Sequence, residues 1–216
     1  MVRQPRAGGR PPARRDLRGG RPRRHAAAYG GSVSAAAHYS AKDNLFLIGY
    51  RGAGKTCVGA IVADRLRRPF VDLDALIERT AGLSIRDLFE QHGEPAFRDL
   101  EQQTLAHVCA DSSQVVSVGG GAVLREENRK RMKACGRCIW LRAATEELAT
   151  RLAADPKTAA QRPALTARGV LEEIEEQLAQ RAPLYERLAD TIVDTTGRSI
   201  EAVAGEIVAW ALKLAR

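Results

Sequence analysis

The stretch Gly49-Tyr-Arg-Gly-Ala-Gly-Lys-Thr56 decides the fold of this 216-residue sequence. It fits the pattern G-x-x-x-x-G-K-S/T, a loop that joins a buried strand to a helix and surrounds phosphate groups with backbone N–H donors. The apolar run Leu45–Ile48 precedes the loop, and a segment whose apolar residues have helical spacing follows it. The sequence therefore predicts a strand, a phosphate-binding loop (P-loop) and a helix that together bind a nucleoside triphosphate.

The residues of this P-loop have separate expected tasks. We expect Lys55 to reach the β- and γ-phosphates of ATP, and the Thr56 hydroxyl to ligate Mg²⁺. The glycines allow the backbone to wrap around the phosphates, and the start of the helix adds N–H groups that face negative charge. The residues predicted to bind ATP here are Gly52, Ala53, Gly54, Lys55, Thr56 and Cys57.

Five short apolar runs predict the strands of one sheet. Their apolar residues are continuous rather than alternating, which is typical of parallel strands buried on both faces. Segments of helical periodicity separate the runs. We therefore predict an α/β fold over residues 44–216, a three-layer α/β/α domain with a central five-stranded parallel sheet. The predicted strands are Leu45–Ile48, Phe70–Leu73, Val115–Val118, Cys138–Leu141 and Thr191–Val193.

The distribution of charge separates an N-terminal extension from this domain. The formal net charge is +8, and residues 1–43 alone hold ten basic and two acidic residues, so residues 44–216 are neutral. The extension is rich in Arg, Gly, Pro and Ala without hydrophobic periodicity, and we predict that it is disordered. A neutral domain lacks the basic surface of a nucleic-acid-binding protein, so we expect no nucleic-acid partner for it.

The apolar and cysteine content excludes other classes of protein. No run approaches the roughly 20 apolar residues of a membrane span. Four cysteines in a chain of this length do not form a disulfide scaffold, and Cys135-x-x-Cys138 has no second pair to complete a zinc site. We expect a cytoplasmic monomer with no membrane partner. A transit peptide is the alternative interpretation of the Arg-rich extension.

Two carboxylates at the end of the predicted second strand indicate a phosphoryl-acceptor site, in Phe70-Val-Asp-Leu-Asp74. Residues two apart on a strand share a face, so Asp72 and Asp74 are expected on one side of the sheet end. We expect Asp72 to lie beside Thr56 and the metal ion. Asp74 is expected to hydrogen-bond the acceptor hydroxyl and to orient or deprotonate it.

Arg98 and Glu101 lie three residues apart in Gly93-Glu-Pro-Ala-Phe-Arg-Asp-Leu-Glu101. A helix brings both to one face, where Glu101 can hold the guanidinium. An arginine fixed in this way can bind a planar carboxylate through two hydrogen bonds. The pattern therefore predicts an acceptor that carries a carboxylate, with a plain surface ion pair as the alternative.

Three glycines and a further arginine complete the predicted acceptor site. Gly119, Gly120 and Gly121 follow the third strand, at the sheet edge where α/β proteins bind ligands, and leave the backbone accessible. Arg181 lies at the edge of a helical apolar stripe, just before Pro183. A half-buried arginine needs an anionic partner, and either a substrate carboxylate or a structural acid satisfies this need.

Together these motifs resemble the shikimate kinase family, over residues 44–216. The P-loop is common to many kinases, but the whole set in this order and spacing is far more specific. The motifs are Gly49–Thr56, Asp-Leu-Asp at 72–74, Gly-Glu-x-x-Phe-Arg-x-x-Glu at 93–101, Gly-Gly-Gly at 119–121, Gln-Arg-Pro-Ala-Leu at 161–165 and Arg-Ala-Pro-Leu-Tyr at 181–185.

The resemblance implies a P-loop fold similar to that of nucleoside-monophosphate kinases, with a lid near residues 153–166. It also implies an ATP-dependent transferase that moves the γ-phosphoryl group of ATP to the 3-hydroxyl of shikimate. That reaction gives shikimate 3-phosphate and ADP, in chorismate and aromatic amino-acid biosynthesis.

The resemblance further implies a role for each matched residue. Asp74 binds the ring hydroxyls and is the candidate base, Arg98 and Arg181 bind the shikimate carboxylate, and the three glycines lie beside the ring. Arg162 on the lid reaches the transferring phosphate, and Arg198 lies near the adenine. The implied catalytic residues are Lys55, Asp74 and Arg162, and the implied substrate-binding residues are Asp74, Arg98, Gly119, Gly120, Gly121 and Arg181.

Two other functions are compatible with parts of the sequence. The nearer one is a related P-loop kinase for another carboxylated polyol or for a nucleotide, although the chain has only ten Phe, Trp and Tyr residues with which to stack a nucleobase. The other is a catalytically idle ATP-binding or nucleic-acid-binding protein. It predicts that Lys55, Asp74 or Arg162 is missing, and all three are present.

Overall fold

A parallel sheet of five strands forms the centre of the structure, a computed structural model that describes residues 43–155 and 167–214. The strands are β1 (Asn44–Ile48), β2 (Phe70–Asp72), β3 (Val115–Ser117), β4 (Gly136–Arg142) and β5 (Thr191–Asp194). Their order is β2-β3-β1-β4-β5, and every neighbouring pair is parallel. The predicted sheet is thereby confirmed, with β1 and its P-loop at the centre.

Helices cover both faces of this sheet, as the alternation of periodicities predicts. The helices are α1 (Lys55–Leu66), α2 (Leu73–Ala81), α3 (Ile85–Val108), α4 (Glu126–Cys135), α5 (Thr145–Ala154), α6 (Ala167–Leu188) and α7 (Ile200–Leu214), with a short 3₁₀ turn at Ala122–Leu124. Within the described ranges, no helix is both long enough and apolar enough to cross a membrane.

The hydrophobic core lies in two layers, one on each face of the sheet. Leu45 and Leu47 of β1 pack with residues of α1, α5 and α7, whereas Phe46 and Ile48 pack with residues of α2, α3 and α4. Helix α6 contributes to both layers. None of the four β1 side chains is more than 2% exposed. Burial on both sides explains why the strand sequences are continuously apolar rather than alternating.

Strand β2 ends one residue earlier than the sequence predicts. The predicted strand includes Leu73, but Leu73 begins α2 and Asp72 is the helix N-cap. Asp72 Oδ1 accepts a hydrogen bond from the backbone N–H of Ala75 at 3.1 Å, which satisfies a donor that the first helical turn leaves free. Asp74 therefore lies in the first turn of α2. The prediction that it shares a strand face with Asp72 is wrong.

Helix α3 contains a break at Gly93. It begins with Ser84 as N-cap, whose hydroxyl accepts a hydrogen bond from the backbone N–H of Asp87 at 3.1 Å. At Gly93, φ is +78° and ψ is 169°, a conformation that residues with a Cβ rarely adopt. Pro95 follows in the next turn, where its missing N–H costs no helical hydrogen bond. The segment after the break carries Phe97 into the core.

Part of the predicted organisation falls outside the described residues. Residues 1–42, nearly the whole predicted extension, and residues 156–166, most of the predicted lid with Arg162, are not among them. Asp43, the last residue of the predicted extension, does contact the domain. Its carbonyl oxygen accepts from Arg68 Nη1 at 2.9 Å, and its carboxylate pairs with Arg137 Nε at 3.2 Å.

Candidate active site

Lys55 is the first residue of α1, and its side chain turns back into the P-loop. Nζ donates hydrogen bonds to the carbonyl oxygens of Gly49 at 2.9 Å and Tyr50 at 2.8 Å. Burial lowers the pKa of Lys55 from 10.5 to about 8, although the carboxylates of Asp74 and Asp72 favour its charged form. Phosphate oxygens would be stronger partners for this ammonium than the two carbonyls, because the hydrogen bonds are then charge-assisted.

Thr56 and Asp72 form an oxygen-only pair at the start of α1. Thr56 Oγ1 donates to Asp72 Oδ2 at 2.7 Å and lies 3.4 Å from Ser117 Oγ at the end of β3. Mg²⁺ prefers oxygen ligands, and beside a nucleotide it takes only one or two of them from the protein. The structure therefore brings together the two predicted metal ligands, in a donor set that fits Mg²⁺ bound to ATP.

Asp74 extends from the first turn of α2 towards the glycines after β3. A Cβ added to Gly119 would lie only 2.7 Å from Asp74 Oδ1. Desolvation raises the pKa of Asp74 above its ordinary value of 3.8, and the charge of Lys55 counteracts this rise in part. Such a carboxylate accepts a proton more readily than an exposed aspartate does, as a base acting on a hydroxyl must.

Two carboxylates hold Arg98 in place. Its Nη1 donates to Glu101 Oε2 at 2.9 Å, and its Nη2 donates to Glu94 Oε1 at 3.1 Å. The Glu101 side chain is 1% exposed and that of Arg98 is 14% exposed. Burial raises the pKa of Glu101, and the neighbouring Arg98 opposes that rise. The predicted pairing is thereby confirmed, and it is a buried ion pair rather than a surface one.

The glycines after β3 let the backbone approach these charged groups. A Cβ added to Gly121 would lie 2.5 Å from Arg98 Nη2, and one added to Gly119 would lie 3.0 Å from Glu101 Oε1. Real Cβ atoms are essentially never found at the shorter distance. Because Gly119 and Gly121 have no side chains, the Asp74 carboxylate and the Arg98 guanidinium can both lie close to this glycine backbone.

Arg181 in α6 keeps a free hydrogen-bond donor. Its Nε is buried and has no hydrogen-bond partner within residues 43–155 and 167–214. The guanidinium lies 5.8 Å from the centre of the Tyr50 ring, and its charge contributes to the lowered pKa of Lys55. Buried polar groups in proteins are nearly always paired, so this Nε is a donor that an acceptor group of a ligand would satisfy.

Arg198, predicted to lie near the adenine, is in the loop between β5 and α7. Its Nη1 donates to the carbonyl oxygen of Asp194 at 2.9 Å and pairs with Glu206 at 2.8 Å. These contacts tie the loop after β5 to α7.

Arg151 is a P-loop contact that the sequence analysis missed. Its Nη1 lies 3.4 Å from the carbonyl oxygen of Gly52, and its Nη2 donates to the carbonyl oxygen of Thr195 at 2.8 Å. The only signal in the sequence is Glu147 one helical turn earlier, with which Arg151 pairs at 2.9 Å. Arg151 thus joins the P-loop to the loop after β5.

Comparison with known proteins identifies the family. The family model described as shikimate kinase matches residues 51–212, three quarters of the chain. The chain belongs to the shikimate kinase family. A shikimate kinase from Rhodopirellula baltica is 41% identical over 166 residues, which cover 77% of this chain and 89% of that protein. One from Thermodesulfovibrio yellowstonii is 42% identical over 165 residues, covering 76% and 92%.

A solved structure supports the same assignment. The shikimate kinase from Acinetobacter baumannii, determined in complex with shikimate, superposes with a TM-score of 0.73 at 31% identity. The match covers 80% of this chain and 94% of that one. The predicted P-loop kinase fold, the ATP-dependent kinase activity and the family are thereby confirmed for this shikimate kinase.

The close approach of Gly121 to Arg98 gives a first testable prediction for this shikimate kinase. Gly121→Ala pushes the Arg98 guanidinium out of place, so we expect the KM for shikimate to rise about tenfold with little change in the KM for ATP. Steady-state kinetics with each substrate varied in turn measures both constants.

Gly205→Ala is the matched control, because an added Cβ in α7 meets Arg65 Nη1 at an ordinary 3.5 Å. It is expected to leave both KM values unchanged. Equal KM values for Gly121→Ala and the wild type would contradict the tight contact.

Proposed function

We propose that this shikimate kinase transfers the γ-phosphoryl group of ATP to the 3-hydroxyl of shikimate, giving shikimate 3-phosphate and ADP. The observation that carries this proposal is the juxtaposition of a P-loop lysine with a desolvated carboxylate and an arginine that has a free, buried donor. The lysine suits a triphosphate, the desolvated carboxylate suits a hydroxyl, and the arginine suits a carboxylate. An acceptor that has both a hydroxyl and a carboxylate matches the last two.

The nucleotide side of the proposal rests on the P-loop. Backbone N–H groups from Gly52 to Cys57 bind the phosphates at the start of α1, and Lys55 contacts the β- and γ-phosphates. Thr56 and Asp72, with their oxygens 2.7 Å apart, would hold Mg²⁺. The ion, when bound, neutralises charge on the phosphate oxygens.

In the phosphoryl transfer, Asp74 is the residue that takes the proton of the acceptor hydroxyl. The carboxylate of Asp74 accepts the hydrogen bond of the 3-hydroxyl and takes its proton as the hydroxyl oxygen bonds to the γ-phosphorus. The bond from that phosphorus to the β–γ bridging oxygen breaks, and ADP leaves. Lys55 stabilises the charge that develops on the phosphate oxygens.

The carboxylate of the acceptor is assigned to Arg98 and Arg181. Arg98 is already oriented by Glu94 and Glu101, so binding requires little further ordering of its side chain. Arg181 contributes the Nε donor that has no partner within the described ranges. Backbone groups of Gly119, Gly120 and Gly121 lie beside the ring.

Four further assignments complete the proposal and rest on the family alone or on composition. Arg162 on the lid contacts the transferring phosphate, and Arg198 lies near the adenine. The protein is a cytoplasmic monomer, with a transit peptide as the alternative interpretation of its extension. The folded domain has no nucleic-acid partner, in agreement with the neutral charge of residues 44–216.

ADP release from MgATP, with and without millimolar shikimate, tests the proposed reaction. We expect shikimate to stimulate release many-fold, whereas nucleoside monophosphates and other carboxylated polyols do not. Arg181→Ala is expected to raise the KM for shikimate about a hundredfold while the KM for ATP stays within about twofold, because a charged partner is lost from one substrate only.

Arg187→Ala removes an exposed arginine from the same helix and serves as the matched control, with wild-type constants expected. Equal effects of Arg181→Ala on both KM values would mean that Arg181 is structural. Stimulation by another acceptor, with none by shikimate, would overturn the substrate assignment.

A further inference from the structure

The hydroxyl of Tyr185 connects α6 to the glycines after β3. Tyr185 is 0% exposed, and its hydroxyl donates a hydrogen bond to the carbonyl oxygen of Gly120 at 2.6 Å. The two residues are 65 positions apart in the sequence. A Cβ added to Gly120 would also lie 3.3 Å from the carbonyl oxygen of Gly49. The bond therefore fixes a peptide group that lies between α6 and the P-loop.

The ring of Tyr185 is itself held by the central sheet. It packs against Trp140 of β4, with ring centroids 5.6 Å apart and an interplanar angle of 32°. Trp140 is 7% exposed and belongs to the same core layer. A tilted aromatic pair in a packed core leaves little freedom of rotation. The position of the hydroxyl is thus set by packing against the central sheet.

Arg181 lies one helical turn before Tyr185 in α6, so the two side chains are neighbours on one face of that helix. Burial raises the pKa of Tyr185 above its ordinary value of 10, so the hydroxyl keeps its proton and remains a donor to Gly120. On its other side, Arg181 lies over the Tyr50 ring. The buried Nε of Arg181 has no hydrogen-bond partner within residues 43–155 and 167–214.

We infer that Tyr185 is a positioning residue, which holds the Gly120 peptide in place one helical turn from Arg181, where the carboxylated end of the acceptor binds. This inference rests on the proposed function, because it assigns a task to groups that the proposal gives to shikimate. Tyr185 does not touch the reacting atoms. It acts through the Gly120 peptide group, to which its hydroxyl donates.

Loss of the hydroxyl leaves the carbonyl oxygen of Gly120 without its donor in a part-buried place. A polar group that is shielded from water and left without a partner is costly, so the Gly120 peptide moves towards other partners. The acceptor must then order this peptide on binding, and its affinity falls, whereas ATP meets an unchanged P-loop.

Tyr185→Phe tests the inference, because it removes the hydroxyl and keeps the ring that packs on Trp140. We expect the KM for shikimate to rise about tenfold with the KM for ATP within about twofold of the wild type. Calorimetric titration of shikimate without nucleotide is expected to give the same increase in Kd. KM does not depend on how much of the enzyme is folded, so partial unfolding cannot imitate this result.

Thr104→Val is the matched control. The Thr104 side chain also carries a buried hydroxyl, is 7% exposed, and donates to the carbonyl oxygen of Leu100 in the same helix at 2.8 Å. A change in the KM for shikimate is not expected for this variant, although its Tm falls. Tyr185→4-aminophenylalanine restores an N–H donor at the same place and is expected to recover most of the shikimate affinity. It also provides the measurement if the phenylalanine variant does not fold.

Three results would overturn the inference. A wild-type KM for shikimate in folded Tyr185→Phe means that the hydroxyl only stabilises the fold. Equal increases in the KM for shikimate and ATP mean a general distortion, and no recovery with the 4-amino variant means that the donor is not the cause. A wild-type protein that does not respond to shikimate contradicts the proposed function itself, and with it the task assigned to Tyr185.

Discussion

Lys55→Ala is expected to lower kcat by about a thousandfold, the effect of removing a fixed positive donor from the charge that develops in a transition state. The side chain already points into the P-loop, where it bonds to the carbonyl oxygens of Gly49 and Tyr50. Single-turnover measurement of ADP formation at saturating ATP and shikimate gives the rate of the chemical step. Near-normal turnover would refute the assignment of the P-loop.

The thermal stability of Lys55→Ala separates catalysis from folding. The pKa of Lys55 falls from 10.5 to about 8 on folding, so the charged side chain is less favourable in the folded protein than in the unfolded one. Its contribution to stability therefore rises as the pH increases between about 8 and 10.5 and is unfavourable at pH 7. We expect no decrease in Tm at pH 7. Lys130→Ala, at an exposed lysine of α4, is the control and should change neither kcat nor Tm.

Asp74→Asn is expected to lower kcat by about a thousandfold, since general base catalysis contributes on this scale. Asparagine keeps the shape and a hydrogen-bond acceptor for the hydroxyl, so the KM for shikimate should change far less than kcat. Initial rates over a range of shikimate concentrations measure both. A small effect on kcat would mean that Asp74 orients the hydroxyl and does not remove its proton.

The pH profile gives a second measurement on Asp74. Desolvation raises the pKa of Asp74 above 3.8. As the pH is lowered, the wild-type kcat/KM should therefore begin to decrease at a higher pH than it would with an exposed aspartate as the base. The residual activity of Asp74→Asn should lack this decrease. The ionised carboxylate also disfavours folding above the ordinary pKa, so the variant should not lose Tm at pH 7. Asp64→Asn, at an exposed position of α1, is expected to retain the wild-type profile.

The sequence predicts the features of this protein that depend on local pattern. The strands are evident because both faces of β1 are buried, and Arg98 and Glu101 pair because three residues on a helix bring them together. The pattern at Asp74 is ambiguous, since Asp-Leu-Asp suits a strand as well as a helix start. The capping bond of Asp72 to Ala75 decides between them, and alternation of residues does not reveal it.

Contacts between distant segments could not be predicted in this way. Tyr185 and Gly120 are 65 residues apart, and Arg151 and Thr195 are 44 apart. Periodicity carries no information about which backbone carbonyl a buried hydroxyl or guanidinium will reach. The free Nε of Arg181 is likewise visible only when every neighbour of that atom is known.

The division of the core into two layers has a consequence for how this enzyme could change its substrate. Helices α2 and α3, which carry Asp74 and Arg98, pack on one face of the sheet, and α1 and α7 pack on the other. Libraries of variants that seek a new acceptor can therefore begin with α2 and α3, together with Arg181 of α6, which contributes to both layers, while α1 and its P-loop stay unchanged. Natural selection has the same freedom: one layer can diverge while the other continues to supply the phosphoryl donor.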